Sequence, residues 1–597
     1  MADGDIKHTK LVVAAIDFGT TYSGFAYCTR HDYDDYLKRK DHDNPKIHCP
    51  TWTAGGWMNY KAPTCILFDP KQNFHSFGYE AREYYQDNPD KKDFTKWFYF
   101  EHFKMMLYRE KDELTKDTLL KESINLEGTC SSKKCMKAVD VFAAVISHFQ
   151  SLLVKTLLTG HGANAFSNDD IHWVLTVPAI WDLKAKQFMR DAAEKAKISN
   201  NQLTLALEPE AASIHCRRQP VTIATQEDGN KAIAGMQKGD KYVVFDQGGG
   251  TTDITVHEVT GPNTVKEIHQ ACGGHWGGTT VNGEFYKFLV RLFGGDVING
   301  VKENHAVEYF ELMHTFEQAK TNFTKDSAQV TIRLPLAWLT KYTEITEETL
   351  KEVIPQTNFK GKIEIKSDKL RINPVLFRTF FDYSINNVTD ALESLFQKEE
   401  LRDVETLLAV GGFSESKILI DAIKEKLGPD IAVIVPNDPG LAVLKGAVLY
   451  GFEPEIITSR VSRYTYGVAM QRPFIQGVDA ESYSNKKMVD DVFDIHVRKG
   501  KVVEIGQFEP EHSYIPMLDN QMCAYFEFFA TEKADPKYTT DNDCKLIGIL
   551  SVDLTKNTTK GGKRELLLKI NASGTEIVAV VKEKATGNMY RAYFSLF

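Results

Sequence analysis

Two short runs of this sequence set an acid, glycines and threonines in the same order. Asp17-Phe18-Gly19-Thr20-Thr21 recurs later in the chain as Asp246-Gln247-Gly248-Gly249-Gly250-Thr251-Thr252. A glycine-rich turn lets backbone N–H groups converge on phosphate oxygens with no Cβ in the way, and threonine hydroxyls add donors. The aspartate cannot hold phosphate itself, since like charges repel. It fits the pattern only with a cation between acid and phosphate. Mg²⁺ suits this role, because it takes oxygen ligands, few carboxylates and several waters. Two such turns facing each other would clamp a polyphosphate from both sides. One copy alone is equally an ordinary hairpin turn. The duplication favours the phosphate reading.

Other residues suit the same chemistry. Glu208, in Ala-Leu-Glu-Pro-Glu, closes a predicted strand. Open α/β sheets carry functional groups at such ends, and an acid there also suits a helix N-terminus. Gly411-Gly412 forms another glycine turn after Leu-Leu-Ala-Val. Glu317, Lys320 and Thr324 are spaced i, i+3, i+7, which predicts one shared helix face. A surface ion pair accounts for the first two as well. Neither GxxxxGK[ST] nor GxGxxG occurs, so P-loop and dinucleotide-fingerprint sites are unsupported.

These residues need strands and helices to position them. Residues 11–27 predict strand, turn, strand, and so do 241–259. Residues 31–46, of mixed charge, predict a solvated loop or hairpin. The aromatic run 94–110 predicts core. Apolar residues at helical spacing predict a helix over 137–158. A strand in IHWVLTVPAIW, a helix in KAKQFMRDAAEKAKI and a strand running into a helix in LTLALEPEAAS follow. Residues 217–240 are polar and weakly patterned. Helices are expected near 280–293, 305–325 and 374–397, strand patterns over 328–372, and a small-residue helix in GLAVLKGAVLYG. Beyond Pro454 the pattern turns β-rich, and NASG and ATGN between apolar runs signal hairpins.

Composition bounds the class. The chain has 597 residues, 42% hydrophobic and 26% charged, which excludes disordered and fibrous proteins. The net charge of −9 gives no general case for nucleic acid or anionic lipid. The six apolar residues Leu11–Ile16 are too short for a secretory signal, and no run approaches the roughly 18 residues of a membrane span. The nine cysteines are scattered without a CxxC pair, Cys130 and Cys135 being the nearest two, and read as isolated thiols. The expectation is a soluble, unsecreted protein of the cytoplasm, with the nucleus as a second location.

DFGTTYSGFAY, LTVPAIW, ALEPEAA, FDQGGGTTD, VGGFSES and GLAVLKGAVLYGFEP together resemble the heat-shock-70 family of the actin-like ATPase superfamily. Within it the likeness is to the divergent twelfth branch, of the heat shock 70 kDa protein 12 type. It covers 11–455 well and the β-rich tail more weakly. The resemblance implies an α/β fold of two duplicated, ribonuclease-H-like lobes with flanking helices, followed by a small all-β domain. It divides the chain into a tail (1–10), lobe I (11–216), a connecting loop (217–240), lobe II (241–455), a linker (456–466) and a β-rich substrate-binding-like domain (467–597).

The resemblance also implies roles. Asp17 and Asp246 would hold Mg²⁺ through water. Gly19, Thr20, Thr21 and Tyr22 would form the first phosphate loop, and Gly248, Gly249, Gly250 and Thr251 the second. Glu208 and Asp253 would help place the attacking water and the metal shell, and Lys104 would reach the γ-phosphate. Gly277 and Gly278 would lie along the phosphates. Glu317, Lys320 and Thr324 would touch ribose and base, with Gly411 and Gly412 under the nucleoside. The implied activity is slow hydrolysis of Mg-ATP to ADP and phosphate, coupled to polypeptide clients or signalling proteins on the β domain, with nucleotide-exchange or co-chaperone partners.

Departures from the family pattern matter. Thr321 and Glu415 stand where two arginines sandwich the adenine, which removes stacking contacts of about 0.5–2 kcal/mol each. Gly440 replaces an acid. IITSRVSRYTYG, with Arg460 and Arg463, replaces the acidic, leucine-rich linker, and the chain leaves no room for a helical lid. A nucleotide-gated adaptor with little turnover is therefore a second reading. A sugar or small-molecule kinase of the same superfamily is a third.

Overall fold

The computed structural model describes residues 10–39, 45–54, 57–87, 96–109, 113–123, 134–161, 166–218, 233–479, 481, 487–518, 521–554, 564–575 and 577–593. The expected N-terminal tail up to residue 9, Cys130 and most of the expected connecting loop (219–232) lie outside these.

Each glycine turn joins a fully apolar strand to its antiparallel partner, and each such hairpin seeds a sheet. In the first, Val12–Asp17 runs antiparallel to Tyr22–Thr29 and parallel to Ile171–Val177, which is parallel to Leu203–Leu207. Ala62–Pro63 adds the far edge. In the second, Lys241–Gln247 runs antiparallel to Thr252–Val259 and parallel to Thr406–Val410, which is parallel to Ala432–Ile434. Val265–Gly274 completes it. Both sheets thus have five strands in equivalent order, with the acid-tipped strand central. The duplication seen in two motifs extends to the whole topology.

Central strands buried on both faces need cover on both. On the outer face of the first sheet lies the helix Ala138–His161, whose Val141, Phe142, Val145, Ile146 and Phe149 are fully buried. By length and composition this helix could cross a membrane, contrary to expectation, because its polar residues interrupt any simple apolar run. Here its apolar side fills the lobe's core. The outer face of the second sheet is covered by Gly278–Phe293 and Asp382–Phe396. Between the sheets lie the helices Glu208–Arg218 and Ala442–Phe452, and one core takes side chains from both lobes. The second helix, in sequence at the end of the second lobe, packs on the first sheet. A Cβ on Gly451 would sit 2.4 Å from Val13 Cγ1, and one on Gly446 1.6 Å from the Ala211 carbonyl oxygen.

Two local expectations fail. Residues 30–38 form a helix, not a loop or hairpin. Thr29 caps it by accepting from Asp32 N, and buried Tyr33 stacks on Phe452 at 4.1 Å. Within 328–372 the strands Val330–Arg333, Ile363–Lys366 and Lys369–Ile372 are interrupted by the helix Leu336–Thr346, anchored by buried Trp338 and Tyr342.

Beyond residue 464 the described residues form two four-stranded antiparallel sheets around one core. Leu566–Asn571, Val578–Glu583 and Met589–Tyr593 pair in succession around the NASG and ATGN turns. The segment before them is docked rather than loose. Ile457 bridges Val265 in the second lobe, and Ser459–Val461 pairs with Val502–Glu504. Arg460 makes a bidentate pair with Glu210 of the first lobe, both contacts 2.6 Å, and donates to Ser573 O at 2.7 Å. Arg463 donates to Ile180 O. The segment is thus held by one buried guanidinium, Arg460, and one partly buried, Arg463.

Candidate functional site

Asp17 and Asp246 sit at the tips of equivalent central strands, each only 5% exposed. The two glycine turns meet. A Cβ on Gly249 would lie 2.3 Å from Thr21 Oγ1, and one on Gly250 2.4 Å from Thr20 Oγ1. Side chains at either glycine would separate the turns. The second turn is further gripped from behind: Gly278 N donates to Gly248 O (3.2 Å) and Thr279 N to Gly249 O (2.8 Å). A Cβ on Gly277 would strike Gly249 O at 2.6 Å. Gly411 has φ +84°, and a Cβ there would lie 2.4 Å from Asp246 Oδ1. Backbone conformation and crowding both require glycine at that position.

Four carboxylates converge behind the turns. Burial, then Glu208, Asp253 and Asp17, push the Asp246 carboxyl well above its ordinary value. Burial chiefly, opposed by Lys104, raises Glu208 to about 7, with Asp17 and Asp253 adding to the rise. Asp253 is raised by burial, although it accepts from Ile180 N at 2.9 Å. Lys104 Nζ donates to Glu208 Oε1 at 2.8 Å and lies 5.0 Å from the Trp181 ring centre. Four acids against two lysines, in a setting that disfavours charge, is a donor set for a hard dication. Asp17, Asp246, Glu208 and Asp253 therefore fit Mg²⁺ in their chemistry.

Sequence reasoning missed the second lysine. Lys61 Nζ lies 2.5 Å from Asp17 Oδ2, and Thr176 donates to Asp17 Oδ1 at 3.0 Å. Gln247 was also passed over. Its side chain accepts from Thr252 Oγ1 (2.6 Å) and donates to Trp276 O (2.9 Å), which fixes the second turn. Thr176 stands in LTVP, a motif already noted, whereas Lys61 has no local signal.

A second group lies beside Gly278. Lys320 Nζ contacts Glu317 (2.6 Å), Asn282 Oδ1 (3.0 Å) and Gly278 O (3.3 Å), and sits 5.7 Å from the Phe413 ring centre, next to Gly412. Thr324 is not part of this group. The helix Ala306–Asn322 ends before it, because buried Phe323 turns extended to pack on Phe377 and Phe381. Thr324 instead pairs with Ser327 in the following turn, so the shared helix face holds only for Glu317 and Lys320. Tyr22 is 40% exposed beside the first turn, and Thr251 is buried in the second. Thr321 is exposed and bonds back to Glu317 O. Glu415 is exposed as a residue while its carboxyl is partly covered, and that desolvation first, Asp438 second, raises its pKa.

The sequence matches the family model "Hsp70 protein" over residues 58–586. It is 33% identical to mouse (Mus musculus) "Heat shock 70 kDa protein 12A" over 97% of this chain and 90% of that one. It is 32% identical to human (Homo sapiens) "Heat shock 70 kDa protein 12B" with the same coverage. "Chaperone protein dnaK" of Gracilaria tenuistipitata var. liui is 23% identical over 81% of this chain and 72% of that one. Joined to the twin sheets and their facing glycine turns, these matches show that the chain belongs to the Hsp70 family, with its actin-like ATPase fold.

Proposed function

We propose that the cleft between the twin hairpins binds Mg-ATP and hydrolyses it slowly, and that the β domain binds polypeptide. The observation that carries this is the convergence of three buried acids, the mostly buried Glu208 and two lysines behind two touching glycine turns. Asp17 and Asp246 would hold the magnesium, which would supply charge neutralisation on the phosphates. The glycine turns at 19–22 and 248–251 would face the phosphates, although Gly248 N is already spent on Thr251 O at 3.0 Å. Hydrolysis by in-line attack of water relies on positioning and electrostatics rather than covalent chemistry. Glu208, paired with Lys104 at 2.8 Å, would help place the attacking water. Lys104 orients it.

Two features support a polypeptide partner. One relative is named a chaperone protein. The β domain also exposes Tyr525, Leu546 and Ile549 on adjacent strands, with Met517 and Leu518 nearby. The docked Arg460 bonds Glu210, two residues along the same helix from Glu208, so nucleotide and β domain share one element. Free thiols without disulfides among the described residues suit a reducing compartment, cytoplasmic or nuclear.

The test is phosphate release with ATP and Mg²⁺, alongside calorimetry for ATP and ADP with and without the metal. Asp17→Asn and Asp246→Asn should each abolish turnover. Unchanged turnover in either removes the metal role. A nucleotide-gated adaptor is the second reading, favoured by exposed Thr321 and Glu415, which offer no stacking planes. Binding without release above a Glu208→Ala control would establish it.

A further inference from the structure

The β domain gathers two imidazoles, a carboxylate and a phenol at one point, far in sequence from the nucleotide cleft. Asp494 and His496 are two apart on the strand Met488–Val497, and His512 and Tyr514 are two apart on His512–Tyr514. His496 is the extra residue of a β-bulge opposite Tyr466 and Gly467, which re-aims its ring toward Tyr514 and the Asp494 carboxylate. The first strand is the edge of one sheet of the domain, and the second is the edge of the other. The cluster therefore bridges the two sheets.

Its geometry is tight. His512 Nδ1 lies 2.9 Å from Asp494 Oδ2, and His496 Nε2 lies 4.0 Å from the same oxygen. The ligand atoms of all three residues fall within 4.8 Å of one another. A tetrahedral zinc ion with bonds of about 2.0 Å needs ligand atoms about 3.3 Å apart, so small side-chain rotations suffice. Tyr514 Oη donates to Asp494 Oδ2 and lies 2.9 Å from His496 Nε2. The imidazole rings stack at 3.9 Å.

A hydrogen-bonded staple between sheets does not need this composition. The His496 side chain is wholly buried, yet its Nδ1 has no hydrogen-bond partner. Asp494 and His512 are 21% and 32% exposed, which leaves an entry path from solvent.

We propose that Asp494, His496 and His512 form a binding site for a first-row transition-metal dication, zinc above all, that fastens the two sheets of the β domain. Imidazole nitrogen selects such ions over Mg²⁺ and Ca²⁺, so this site and the carboxylate cluster draw on different metals. Tyr514, within hydrogen-bond reach of Asp494 and His496, borders the site.

The experiment uses the full chain, stripped with EDTA and held in excess Mg²⁺. Zinc is titrated by competition with a chromogenic chelator, and Co²⁺ is added separately for its visible absorption. Wild type should bind one more equivalent of zinc than His512→Ala or His496→Gln, and Co²⁺ should give a tetrahedral spectrum that both variants lose. Zinc should raise the melting temperature of wild type alone. Should His496→Gln fail to fold, the partly exposed His512→Ala carries the comparison. Equal zinc binding by wild type and His512→Ala, or none by either, overturns the proposal.

Discussion

Replacing Arg460 by methionine should undock the β domain from the first lobe. The guanidinium holds both Glu210 oxygens at 2.6 Å and the Ser573 carbonyl at 2.7 Å, with side-chain exposures of 8% for Arg460 and 3% for Glu210. Its loss leaves the Glu210 carboxylate buried, beside a second acid, Glu267, that Glu210 already pushes up. Stranding one charge of a buried pair costs about 3–5 kcal/mol. Drawn from docking alone, about 3 kcal/mol is a population shift of more than about a hundredfold. Limited proteolysis across 456–466 reads this directly, since the docked Ile457 and Ser459–Val461 are paired strand. Cleavage should rise by a comparable factor, and thermal unfolding should split into two transitions. Glu210→Gln added to Arg460→Met should recover much of the loss, because no charge is then stranded. Proteolysis at the wild-type rate in Arg460→Met refutes the reasoning, as does a double variant no better than the single one.

Gly411→Ala meets both a positive φ and the Asp246 oxygen, so it should cost about 1–3 kcal/mol and weaken nucleotide binding at least about tenfold, read by calorimetry. Glu267 is pushed up to about 8 from 4.5, by burial first and Glu210 second. The folded state therefore keeps a proton that the unfolded chain has released, and stability falls as pH rises through that window. Glu267→Gln should flatten this fall, adding about 1 °C to the melting temperature of a chain this long per kcal/mol recovered at pH 9, with no gain below pH 4.5. Thr321→Arg should tighten ATP and ADP by up to about tenfold, through one restored cation–π face, in a direct binding assay.

The acid-tipped hairpins were legible because glycine turns and buried strands are local patterns, and a duplicated pattern is hard to produce by chance. Lys61 was not legible: a single lysine between Tyr60 and Ala62 carries no mark that it reaches Asp17. The helix Arg30–Lys38 hid behind its charges, since Tyr33 alone is its buried anchor and that anchor's partner, Phe452, lies far along the chain. Thr324 failed for the converse reason. Its spacing was helical, but burial of Phe323 ended the helix first. Arg460 and Arg463 read as a missing linker because their partners, Glu210 and Ile180, belong to another lobe. Local periodicity reveals elements. Pairings across the chain emerge only when the elements are assembled.

The crossing of Glu208–Arg218 with Ala442–Phe452 has a mechanical consequence. Ala211 faces Gly446, so backbone rests on backbone with no side chain interlocked between them. That bare contact sets how near the two helices lie, and so how tightly the side chains around it mesh into the core the lobes share. Bulk at Gly446 would act as a wedge, prising the helices apart and loosening the seam along its whole length.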